Sequence, residues 1–306
     1  MHTSTMDAQM GAGALCMERY YNFIPTQADH RSGDHVRLDL DCELDNKLDE
    51  VSGVAQLSPQ ELVVLNDGGN DPEVYVLDRT TCEITKTLKI KGKENHDWED
   101  LALSPDQVFV GDFGNNTNGK RKNLRVLVFP RSALSKEHDN DTKVEEIEFY
   151  YPEQDLEKES GKALSTEWDC EAMIWLNGEL HLFTKDWKTK RCKHYMLPDK
   201  PGSYAATFVE EFDTKGLVTA ADLTPDGRLM LLGYTQLGRV FMWEFWNSPN
   251  GFFNGKSRRH ELGNVMMVGQ AESLVMLDDN NGLILTELWE RRRTRIPPRM
   301  YSFEMN

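Results

Sequence analysis

Short apolar runs alternate with polar turns along this chain, and the runs come in pairs. Val51-Ser52-Gly53-Val54-Ala55 leads to Leu62-Val63-Val64-Leu65-Asn66-Asp67, and Trp98-Glu99-Asp100-Leu101-Ala102-Leu103 leads to Val108-Phe109-Val110-Gly111-Asp112. The same figure returns at 169–174 with 180–185, at 219–223 with 229–234 and at 270–275 with 283–287. Aliphatic runs this short, bounded by turn residues such as Ser104-Pro105-Asp106, read as strands. Helical periodicity of useful length is nearly absent, which argues against an α/β fold.

Each pair has two further strand-like segments after it: 73–77 and 83–90, then 124–129 and 144–151, then 193–196 and 206–212, then 240–246 and a strand near His260. The fifth has only one, at 300–303. The alternating stretch around 36–40 can supply its missing strand. Most repeats recur at about 50 residues, the size of a four-stranded propeller blade. The longer second interval holds polar segments at 136–141 and 154–166, which read as surface loops. The expected fold is all-β, a five-bladed β-propeller of four-stranded blades closed by its N-terminal strand, so no blade is left open. Residues 34–306 are expected to form one domain. Residues 1–33 have no clean period and read as a tail or extension.

Charge narrows the partners. The chain of 306 residues has 51 acidic and 35 basic side chains, a net charge of −16. Nucleic acid is disfavoured, because phosphate binding needs a basic surface. Cation binding, or solubility alone, suits this balance. The arginines at 291–295 read as a solvated loop. No apolar run approaches the ~18 residues of a membrane span, and no signal peptide is visible. The five cysteines form no Cys-x-x-Cys pair, so zinc is not expected. Their odd number leaves a free thiol and does not suggest a disulfide framework. Cys170 reads as a small core residue, and His181 as a satisfied sheet residue.

The inner strands of a propeller line its channel. Ser52, Glu99, Glu171, Ala220 and Glu272 occupy matching places, so three carboxylates face one axis. Like charges that close are tolerated when protonated or when a cation lies between them. Calcium accepts many oxygen ligands in flexible geometry, and the expected metal residues are Ser52, Glu99, Glu171 and Glu272. The alternative is that these acids cap strands. Ala220 offers only its carbonyl, with Asp222 on the same side of its strand.

The ends of the second strands carry Asn66, Asp67, Asp112, Lys185, Tyr234 and Glu287, beside Asn115 and Asn116 in a Gly/Asn-rich loop. These residues are expected to form a polar ligand-binding rim on the face opposite the inner-strand starts. Asp67 and Glu287 are the candidates for proton transfer; ordinary turn chemistry is the competing reading. Trp187, Trp246 and Trp289 are candidate exposed platforms for a glycan.

The stretches Glu50-Val51-Ser52-Gly53-Val54-Ala55, Asp97-Trp98-Glu99-Asp100-Leu101-Ala102, Val110-Gly111-Asp112-Phe113-Gly114-Asn115-Asn116 and Cys170-Glu171-Ala172 resemble a family of uncharacterised bacterial propellers common in Bacteroidetes. Many of its members are exported, which implies an extracellular or cell-surface setting. The order Ser52, Glu99, Glu171, Glu272 also resembles, more distantly, the soluble calcium-activated nucleotidases, or apyrases. Those are five-bladed propellers with calcium held in the channel by Ser and Glu, and Asn66-Asp67 resembles the Asp-Asp pair beside their nucleotide. Ala220 departs from the Ser expected there, and of their polyphosphate-gripping bases only Lys185 has a counterpart. Two functions are therefore expected. One is a calcium-binding, non-catalytic module whose rim binds a small polar molecule, a glycan or a protein. The other is a calcium-dependent hydrolase of phosphoanhydride or ester bonds, apyrase-like or lactonase-like.

Overall fold

The computed structural model describes residues 34–135, 142–246, 251–291 and 294–305. Five antiparallel sheets stand in a ring, one for each repeat. Blade 1 is Val51–Ser58, Glu61–Asn66, Glu73–Asp78 and Ile84–Lys89. Blade 2 is Trp98–Leu103, Gln107–Asp112, Leu124–Pro130 and Glu145–Tyr150. Blade 3 is Cys170–Leu176, Glu179–Thr184, Cys192–Pro198 and Thr207–Phe212. Blade 4 is Leu217–Leu223, Leu229–Tyr234, Arg239–Phe245 and Ser257–Asn264. Blade 5 is Gln270–Met276, Asn281–Glu287 and Arg299–Glu304, completed by Leu38–Glu43 from the start of the described chain. The five inner strands contact one another in sequence, and the last contacts the first. This is the expected five-bladed propeller with N-terminal closure. The expected tail at 1–33 and the loop at 136–141 lie outside the described residues.

Burial follows strand position. Leu62–Leu65, second in its blade, is buried on both faces, whereas Ile84–Lys89 at the outer edge alternates. Strands covered on both sides read as continuous apolar runs, and half-covered ones alternate. The core is divided into five apolar clusters, one in each wedge between neighbouring blades. Val63, Leu65, Val110 and Leu127 fill the first wedge, and Leu48, Val64, Leu285 and Met300 fill the last.

Two details depart from plain four-stranded blades. Asp34–His35 adds a parallel strand to blade 4 before the chain crosses into blade 5. Gly202–Ala205, within blade 3, adds a parallel strand to the edge of blade 2. Each addition covers an edge and ties two blades together.

A disulfide joins Cys42, on the closing strand, to Cys82 in the outer turn of blade 1. The cysteine count did not point to it, because the pairing depends on closure bringing blade 5 against blade 1. Cys170 and Cys192 are buried free thiols. Closing a loop of 40 residues restricts the unfolded chain by about 4 kcal/mol in the entropic account. Replacing both cysteines by serine should therefore lower the melting temperature by roughly 10 °C, as should a reductant on the wild type. Unchanged calorimetric melting in both cases would mean that the closing strand is held by its ladder alone.

Candidate functional site

Every inner strand breaks register with its neighbour at the same place. The shifts fall between Val51 and Gly53, Trp98 and Asp100, Cys170 and Ala172, Val218 and Ala220, and Ala271 and Ser273. A bulge leaves one residue unpaired and re-aims its side chain. The five bulged residues are Ser52, Glu99, Glu171, Thr219 and Glu272. The fourth position therefore belongs to Thr219, not Ala220, which packs in the wedge between blades 4 and 5. The two hydroxyls tie adjacent blades: Ser52 Oγ donates to Glu99 O at 2.5 Å and Thr219 Oγ1 to Ala271 O at 2.8 Å. The other three positions are carboxylates, all buried. Asp222 lies at the far end of its strand, where Oδ2 accepts Met276 N at 2.6 Å.

The rim also needs correcting. Antiparallel pairing sets the end of each second strand beside the start of the inner one. Val51 faces Asn66, Trp98 faces Asp112, Leu217 faces Tyr234 and Gln270 faces Glu287. The two constellations expected on opposite faces thus occupy one face and form a single acidic funnel. Asp67, Asp97 and Glu287 are half-buried at its mouth; Glu99, Asp169, Glu171 and Glu272 are buried below.

Lys185 is the buried cation of this cluster. Its Nζ lies 2.9 Å from Glu171 Oε2 and 3.8 Å from Glu272 Oε2, between the rings of Trp187 and Tyr234. Burial opposes its charge, but the facing carboxylates outweigh burial and hold its pKa well above the ordinary lysine value. Glu272 Oε1 also accepts Gln270 Nε2 at 2.8 Å, and the same amide reaches Glu287 Oε2 at 2.8 Å. Asp112 is completely buried and bound to Arg121 and to Arg125, the latter at 2.9 Å. Its carboxylate is thus occupied inside the wall of the funnel. The asparagines brace loops: Asn66 Nδ2 donates to Lys47 O at 2.6 Å, Asn115 N donates to Asp169 Oδ1 at 2.6 Å, and Asn116 O accepts Leu164 N at 2.8 Å. Trp187 and Trp289 are buried, so they are not exposed platforms, and Trp246 is covered by Lys256.

Sequence reasoning missed Asp97 and Asp169. The signal was present as a second period two residues before the bulge: Glu50-x-Ser52, Asp97-x-Glu99, Asp169-x-Glu171 and Gln270-x-Glu272. Alternate residues of a strand share a side, so each blade except the fourth sends two polar groups to the funnel.

Burial comes first among the causes that raise these carboxyl pKa values. Asp97 is pushed up to about 7, by burial and then by Asp169. Burial raises Glu99 well above the usual range, with Asp67 and Glu171 adding repulsion, and it raises Glu287 likewise, with Glu272 adding to it. Glu99 Oε1 and Glu171 Oε1 are buried without a hydrogen-bond donor. An oxygen left so costs about 1–3 kcal/mol or more. Glycine keeps the space beside Glu99 open: a methyl on Gly114 would come within 2.1 Å of Glu99 Oε1 and 2.5 Å of Asp97 Oδ2. Buried carboxylate oxygens with no donor, one of them beside a glycine, fit a hard cation with oxygen ligands. The described residues include no His or Cys in such a group, which disfavours zinc.

No protein-family model matches the chain, and no curated protein does. Among solved structures, it is similar to the calcium-binding protein regucalcin from Agrobacterium tumefaciens, at 9% identity and TM-score 0.43 over 89% of this chain and 95% of that one. It is also similar to a protein of unknown function from Dyadobacter fermentans, at 13% identity and TM-score 0.42 over 89% and 99%. A third similarity is to hydrazine synthase from Kuenenia stuttgartiensis, at 12% identity and TM-score 0.42, where the match covers 84% of this chain but only 58% of that one. Similarity at this level transfers no activity to the chain.

Proposed function

We propose that this protein is a calcium-binding propeller whose metal sits beneath a polar funnel that receives a ligand. The observation that carries this reading is the pair of donorless oxygens, Glu99 Oε1 and Glu171 Oε1, buried at matching bulges beside the half-buried Asp67, Asp97 and Glu287. Calcium bound there would offset the crowded carboxylates and leave coordination positions for a ligand oxygen. Glu99 and Glu171 would hold it. Ser52, whose hydroxyl proton is given to Glu99 O, keeps its oxygen lone pairs available. Glu272, whose Oε1 accepts Gln270 Nε2 and whose Oε2 has no donor but lies 3.8 Å from Lys185 Nζ, would serve as a charge partner nearby. The rim ligand would be a small polar molecule, a glycan or a protein segment. The Cys42–Cys82 disulfide supports an oxidising compartment, in line with the resemblance to exported Bacteroidetes propellers.

A second reading, calcium-dependent hydrolysis of a phosphoanhydride or an ester, is favoured by one observation: Asp67 and Glu287 open on the same face as the buried acids. A substrate oxygen on the metal and a proton-carrying carboxylate could then meet. The residue order resembling apyrases points the same way.

Calorimetry on chelator-stripped protein tests the first reading. Calcium should bind with micromolar or tighter affinity, and no heat of binding in the wild type would end it. Turnover of nucleotides and lactones, measured on the wild type and on Glu287→Gln, separates the second. Hydrolysis lost in the variant at unchanged calcium affinity makes Glu287 part of an active site. No turnover by calcium-loaded wild type leaves the funnel as a binding site.

A further inference from the structure

We infer that the funnel holds two cations, bridged by Glu99, rather than one; this rests on the calcium reading above and extends it. The buried acids do not converge on a single point. They fall into two trios, Asp67 with Asp97 and Glu99, and Glu99 with Asp169 and Glu171. Within each trio the ligand oxygens lie within 4.8 Å of one another. Ligands on a shared calcium stand about 2.3–2.6 Å from it, so two of them are at most about 5 Å apart. Each trio meets that limit, and no larger group does so among the described residues.

Glu99 belongs to both trios. A carboxylate has two oxygens and can give one to each ion. Its Oε1 has no donor and points at the space Gly114 leaves open beside Asp97 Oδ2. Glu171, whose Oε1 is also without a donor, belongs to the inner trio, while Lys185 holds its other oxygen. The two positions differ in access. The outer one is framed by half-buried Asp67 and Asp97, and the inner one by completely buried Asp169 and nearly buried Glu171.

Charge supports two ions. Asp67, Asp97, Glu99, Asp169, Glu171, Glu272 and Glu287 share one face with a single buried lysine. One divalent ion with Lys185 offsets three of those seven charges; a second ion leaves a remainder of two. The inner ion would bind tightly and organise the channel. The outer one would exchange with solvent and touch the ligand, so Asp67 would act as a ligand to the metal and Glu287, held by Gln270, would remain the rim carboxylate outside both trios.

Calcium ion alone, titrated by calorimetry into the chelator-stripped full chain, tests this. The expected stoichiometry is two per chain in the wild type, one in Asp97→Asn and one in Asp67→Asn. The Asp97 carboxylate receives no hydrogen bond from the described residues, its backbone carbonyl accepts Gly114 N whichever side chain stands there, and Asn at 67 can still accept the Gly68 amide, so both variants should fold. Their melting temperatures without calcium check this. Glu99→Gln should bind less than one equivalent at the concentration that fills the wild type. One calcium per chain in the wild type would overturn the two-ion proposal and leave the calcium reading standing. Two per chain in both Asn variants would also overturn it. No binding at all would defeat both.

Discussion

Glu99→Gln should weaken the tightest calcium-binding step by about 100-fold or more, because removing one charged ligand moves such sites by decades of affinity. Glu171→Gln should do the same. The same substitution should act in the opposite direction on the metal-free fold. Burial raises the Glu99 pKa, and Asp67 and Glu171 raise it further, so its charged form opposes folding. A neutral amide of the same shape removes that opposition, and metal-free Glu99→Gln should melt several degrees above the metal-free wild type at pH 8. The gain should be smaller for Glu171→Gln, since Lys185 loses its 2.9 Å partner. A residue whose removal stabilises the empty protein while costing ligand binding is kept for function. If both variants bind calcium as the wild type does, the metal lies elsewhere. If both are also less stable without metal, these acids are strand ties.

How much of this was legible depended on whether one strand or several carried the signal. The five blades could be read because each repeat displays the same pair of apolar runs, and the closing strand because the last repeat is one strand short. Glu99, Glu171 and Glu272 could be read because they recur at matching places. Thr219 could not, since the bulge that aims it is a matter of pairing register, and a shift of one residue exchanges the two faces of a strand. The rim was placed on the wrong face although the antiparallel rule contains the answer: the end of a second strand lies beside the start of the first. The individual duties of Asp112, Asn115 and Trp187 needed three dimensions, because their partners Arg125, Asp169 and Asp169 respectively come from other strands and loops. The disulfide was hidden for the same reason, as Cys42 and Cys82 meet only after the ring closes.

Without metal, the protein should be more stable at pH 5.5 than at pH 8, the reverse of a protein held by surface ion pairs. Asp97 and Asp222 are each pushed up to about 7, with burial the leading cause for both. Unfolded, each would titrate near 4. Between those values the folded chain keeps a proton that the unfolded chain has lost, so stability falls as pH rises from about 4 through about 7. Glu99, Glu171, Glu272 and Glu287 are raised too and act in the same direction. His181 works against them. Burial and the neighbouring His194 lower it to about 4, and its contribution is lost as pH falls below the usual histidine value near 6.5. One histidine is outweighed by six carboxyls, and the melting temperature without metal should rise by roughly 10 °C between pH 8 and pH 5.5. Saturating calcium should remove most of that rise, because the ion favours the deprotonated form of the acids it binds and competes with their protons. Asp222 lies at the far end of the channel, so its share should persist with calcium and disappear in Asp222→Asn. Scanning calorimetry across this pH range, with chelator and with calcium, decides it. A metal-free protein that melts lower at pH 5.5 than at pH 8 would mean that the funnel acids are already ionised and compensated by the protein itself, and a slope untouched by calcium would mean that the ion does not meet them.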